Sequence, residues 1–88
     1  MATQNLNDIV VKVHQLKQFC EQTKVQLSVG EENLVKLSKM IEYQAGASRT
    51  GQEAAQISNF AAKQLRDAVQ SVRTLERDAD AYIKHITS

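Results

Sequence analysis

Two long heptad runs fill almost the whole chain and leave little sequence for any fold but a helical hairpin. In the first run, Leu6, Ile9, Val13, Leu16, Cys20, Thr23, Leu27, Gly30, Leu34, Leu37 and Ile41 recur at alternating steps of three and four. In the second, Ala54, Ser58, Ala61, Leu65, Ala68, Val72, Leu75, Ala79, Tyr82 and Ile86 do the same. Steps of three and four keep a single stripe of side chains on one face of a helix. The two stripes therefore predict an all-α protein, a long antiparallel two-helix hairpin of the coiled-coil kind. One domain spans residues 1–88, with a helix over about 5–44, a turn over about 45–50 and a second helix over about 51–86.

The end signals fit this division. Asn5 is the expected N-cap of the first helix, with Asp8 in its first turn. Gly46 is the expected C-cap glycine. Thr50 followed by Glu53 has the form of a capping box opening the second helix. The chain has no proline and three glycines, so few residues oppose helix. Ser28-Val29-Gly30 is the one alternative break, which would give three helices. The heptad phase crosses it without a slip, and this favours the hairpin.

Folding the chain so that Ile41 faces Ala54 sets a register. Leu34 then meets Ala61, Leu27 meets Ala68, Leu16 meets Ala79 and Gly30 meets Leu65. Large opposes small in most layers, as interdigitation requires. In this register the glycine leaves room for Leu65.

An 88-residue chain buries a modest fraction of its surface, and a single seam between two helices is marginal on its own. One cysteine excludes an intramolecular disulfide, and Cys20 reads as a buried thiol. A partner is the remaining remedy. Apolar residues outside the stripes point the same way. Phe60, Ile57 and Met40 near the turn are the expected partner-binding anchors, with Phe19 and Tyr43 next. The expected occupant is another helical protein or a second copy, completing a four-helix bundle.

No chemistry is written in the chain. It lacks a phosphate-cradling glycine loop, a nucleophile elbow and paired carboxylates in a pocket, so no enzyme activity, cofactor or small-molecule substrate is expected. His14 and His85 stand near opposite ends outside the stripes, and no metal site is expected. Eleven basic and ten acidic residues interleave to a net charge of +1, unlike a nucleic-acid footprint. Glu76, Asp78 and Asp80, with Arg73, Arg77 and Lys84, read as a solvated salt-bridged face. No apolar run reaches the length of a membrane span. The first residues are polar, without the apolar core of a signal peptide, so the expectation is a cytoplasmic chain, with export alongside a partner left open.

The architecture resembles the small helical-hairpin proteins of type VII secretion. That family's turn carries a Trp-x-Gly motif. Here Gly46 stands at the glycine and Gln44 at the tryptophan. The family's export signal places an acid four residues after an aromatic, whereas Tyr82 is followed at that spacing by Ile86 and Phe60 by Gln64. The chain is thus most similar to the tryptophan-less hairpin companions, the helical targeting factors or chaperones that bind the helical N-terminal domain of LXG-type toxins. The resemblance implies such a toxin domain, or a second small hairpin protein, as partner. The competing expectation is a cytoplasmic coiled-coil chaperone or regulatory adaptor. The Ala-, Gln- and Ser-rich stretch from Gln52 to Ile86 resembles chemoreceptor hairpins in composition.

Overall fold

The computed structural model describes residues 5–88. Helix α1 runs over Leu6–Ala45 and α2 over Arg49–Thr87. The two pack against each other along their length as an antiparallel hairpin about 65 Å long. Asn5 caps α1 in extended geometry, its side chain accepting from the Asp8 amide at 2.8 Å. The helix continues unbroken through Ser28, Val29 and Gly30.

The turn is only Gly46, Ala47 and Ser48. Gly46 closes α1 with φ −65°, an ordinary right-handed conformation, so this C-cap does not use the left-handed freedom of glycine. Ser48, not Thr50, caps α2. Its hydroxyl accepts from the Gly51 amide at 2.9 Å and also donates to the Ala45 carbonyl at 3.0 Å. One side chain thereby serves an orphan donor of α2 and an orphan acceptor of α1. Thr50 is already inside the helix, and Glu53 pairs with Arg49 at 3.1 Å instead of closing a capping box. The Gln52 side-chain amide donates to the Gly46 carbonyl at 3.0 Å.

Gly51 is buried where the two helix ends meet. A Cβ there would lie 1.9 Å from the Ala45 carbonyl oxygen and 2.8 Å from the Ala45 Cβ. The backbone of α2 therefore approaches α1 more closely than any side chain allows. Further along, the expected layer of Gly30 against Leu65 is present: a Cβ on Gly30 would meet Leu65 Cδ1 at 3.0 Å.

The side of each helix that forms the seam is only half as expected. With heptad letters anchored on Val13 and Ser58 as position a, burial on α2 falls on Gly51, Ala55, Ser58, Ala62, Val69 and Ala79. These are positions a and e. Ala54, Ala61 and Ala68, expected in the seam at position d, are half-buried, and Leu75 and Tyr82 are exposed. On α1 the same shift occurs: Ser38 at position e is buried, while Leu16 and Leu37 at position d are 41% and 44% exposed. Position a is shared by both readings.

The physical reason is that α2 carries three apolar columns, and a two-helix seam admits two. Facing e inward places the small Ala55 and Ala62 at the contact. It also lets Lys17, Lys24 and Glu31 lay their stems over the seam while their heads pair across it. The apolar residues that end up buried are Cys20, Ala55, Ala62, Val69 and Ala79, none larger than valine.

Candidate interaction surface

In an antiparallel pair that packs through positions a and e, the b and e columns of both helices share one flank, and the d and g columns share the other. The cross-helix ion pairs mark the first flank. Lys17 pairs with Asp80, Lys24 with Glu76 at 2.7 Å, and Arg66 with Glu31 at 2.8 Å. Lys24 also reaches Glu21 on its own helix at 2.8 Å. The Lys24 hydrogen bond holds the Glu21 carboxyl below its ordinary value. The Lys17 hydrogen bond does the same for Asp80. The Lys24 ammonium is raised in turn, by Glu21 first and Glu76 second. Glu76 is therefore not simply a solvated charge: its side chain is 14% exposed and lies over the seam.

The opposite flank has a different chemistry. From Leu16 to Met40, the d and g positions of α1 are Leu16, Phe19, Thr23, Gln26, Gly30, Asn33, Leu37 and Met40. From Ala54 to Leu75, those of α2 are Ala54, Ile57, Ala61, Gln64, Ala68, Ser71 and Leu75. None is charged, in a chain where 24% of residues are. Leu75 and Tyr82 are 46% and 47% exposed, much like Leu16 and Leu37. Single exposed apolar residues are ordinary, but a continuous uncharged strip along two helices is not, and it makes this flank the candidate surface.

All five expected anchors are exposed. Phe19, Met40 and Ile57 sit at position g and border this uncharged strip. Phe60 and Tyr43 sit at position c, on the far side of their helices from the seam. Phe60 and Ile57 still neighbour each other one turn apart on α2, where with Glu53 and Gln56 they line a shallow open dent. Sequence reasoning placed Leu16, Leu37, Leu75 and Tyr82 inside the seam and so missed them as surface. The signal that would have found them is the second alternating stripe of α2, through Ala55, Ala62 and Val69. The oppositely charged residues that flank it on the two helices support the same choice.

Among the described residues no three His, Cys, Asp or Glu side chains gather to hold a metal ion. No helix among them is long and apolar enough to cross a membrane. Cys20 is a buried free thiol. Comparison with family models, with curated proteins and with solved structures gives no match.

Proposed function

We propose that this hairpin is a non-catalytic helical binding module whose uncharged flank docks another helical protein to complete a four-helix bundle. One observation carries the reading: Leu16, Leu37, Leu75, Met40, Phe19 and Ile57 on the flank stay 41–69% exposed, whereas Leu27, Leu34, Ile41 and Leu65 at position a are half-covered by the seam. Large apolar and aromatic side chains are the usual anchors of helical interfaces. Leu37, Met40 and Ile57 near the turn, and Leu16, Phe19 and Leu75 further along, are the contacts that a partner covers. Phe60 and Tyr43, at position c on the backs of the helices, lie outside the face that the partner covers.

The finer reading is a targeting factor or chaperone that binds the helical N-terminal domain of a type VII secreted toxin. Its support is the hairpin architecture, a three-residue turn opening on Gly46, and a long uncharged flank. A cytoplasmic coiled-coil adaptor is the alternative, favoured by the Ala-, Gln- and Ser-rich composition of α2. Titration calorimetry against the helical N-terminal domain of an LXG-type toxin tests the proposal. The expected result is stoichiometric binding that Leu37→Glu and Ile57→Asp each weaken at least tenfold, with helix content retained. Binding undisturbed by both substitutions would place the interface elsewhere.

A further inference from the structure

We infer that a second copy of this chain occupies the uncharged flank, so that two hairpins stack face to face. The inference rests on the reading of this flank as the binding surface, and it names the occupant. Charge is the first reason. A partner face carrying charges would lose their hydration against this strip and find no opposite charge in return. The strip laid on itself buries no charge at all. Geometry is the second. Stacked hairpins are related by a two-fold axis either along or across the helices. The strip lies near mid-length on both helices, so either axis superposes it on its own copy. The polar groups such a stack covers include the amides of Gln26, Asn33 and Gln64, each able both to donate and to accept. Area is the third. The strip spans roughly 36 Å of helix and about 20 Å across two helices, a footprint of roughly 700 Å². Stable complexes bury about 800 Å² of accessible surface on each partner, and the accessible area of a ridged surface exceeds its flat footprint.

Sedimentation equilibrium on the full chain reads the answer as a mass. The expected result is a dimer of the 9.8 kDa chain. Ala61→Glu, at the centre of the strip, weakens self-association roughly 100-fold. Asn59→Glu, two residues away on the charged flank, leaves it unchanged. Leu37→Glu repeats the test from α1, and circular dichroism confirms that each variant remains helical. A folded parent that stays monomeric at every concentration overturns the second copy. If that monomer binds the helical N-terminal domain of an LXG-type toxin, and Leu37→Glu abolishes the binding, the binding-module reading stands alone. A dimer that persists in both Ala61→Glu and Leu37→Glu overturns the assignment of the flank, and both readings with it.

Discussion

The two flanks of this hairpin are built from the same two helices and do opposite things. On one, Lys17, Lys24 and Glu31 reach across to Asp80, Glu76 and Arg66, so every cross-helix ion pair among the described residues lies there. On the other, a run of fifteen d and g positions carries no charge. The charged flank closes on itself, because its side chains find partners within the chain. The uncharged flank has no such partners, and its leucines stay about half exposed. On the proposed reading, the uncharged side is the one that a partner covers. The difference also gives the ion pairs a role that does not depend on their strength. Exposed pairs contribute little to stability, but opposite charges in fixed layers select one helix rotation over another. Here they select position e over position d.

The sharpest way to break this comparison uses adjacent alanines. Ala62 is 2% exposed in the seam, and Ala61 lies on the uncharged flank. Ala62→Glu buries an unpaired carboxylate and is expected to destabilise by about 3–5 kcal/mol, enough to unfold a small domain. Ala61→Glu is expected to change the stability of the dilute monomer by less than about 1 kcal/mol. Urea denaturation of the two variants measures this directly. The reverse order would restore the d positions to the seam.

Overpacking comes next in size. Gly30 touches Leu65 closely enough that Gly30→Leu is expected to cost about 1–3 kcal/mol in a chemical melt. Gly30→Ala meets only the movable end of the Leu65 side chain, so a propensity gain of about 1 kcal/mol offsets the crowding and leaves stability near neutral. A Gly30→Leu variant as stable as the parent would mean that the helices do not pack in this register.

The turn supplies a smaller effect. Ser48→Ala removes the cap shared between the two helix ends and is expected to cost about 1 kcal/mol, read as a lowered thermal midpoint. Thr50→Ala is expected to cost less, because Thr50 lies within α2 and caps nothing. The opposite ranking would return the cap to Thr50.

The smallest expected effect is the pH dependence of the charged flank. The Glu21 and Asp80 carboxyls are held below their ordinary values of 4.5 and 3.8. Their contribution is fully present above those values and is lost as pH falls through the lower folded values. The Lys24 ammonium is raised above 10.5, so its contribution is present below that value and is lost as pH rises through the folded one. Thermal melts should show a plateau around neutrality with a shallow decline on both sides. Lys17→Met should flatten much of the acid side, and an unaltered acid limb in that variant would detach Asp80 from it.

The sequence made the hairpin legible and blurred its rotation. Two unbroken heptad runs and a glycine between them determine two antiparallel helices, and the Gly30–Leu65 layer follows from the register. Position a was legible because it is apolar or small throughout, from Leu6 to Ile41 on α1 and from Gly51 to Ile86 on α2, and never charged. Positions d and e were not separable on α2, where alanine fills both columns at Ala54, Ala55, Ala61 and Ala62, and hydrophobic pattern alone has no preference between them. The tie is resolved by contacts between the helices, which a single-helix periodicity does not contain. The cap was misplaced for a different reason. Thr50 with Glu53 matches the capping-box pattern, but Ser48 two residues earlier bonds Gly51 three residues ahead and Ala45 three residues back, a local arrangement that the Thr-to-Glu pattern does not contain.

The expected anchors divide along the same line. Phe19, Met40 and Ile57 border the uncharged strip, whereas Phe60 and Tyr43 face away from the seam. Hydroxyl-radical footprinting, comparing dilute protein with the associated or partner-bound state, reads all of these side chains in one experiment. The account predicts protection concentrated at Leu16, Phe19, Leu37, Met40, Ile57, Leu75 and Tyr82, with Val25 and Val29 on the back of α1 unchanged. Protection of Val25, Val29, Tyr43 and Phe60, with Leu37 and Leu75 left fully reactive, would contradict it.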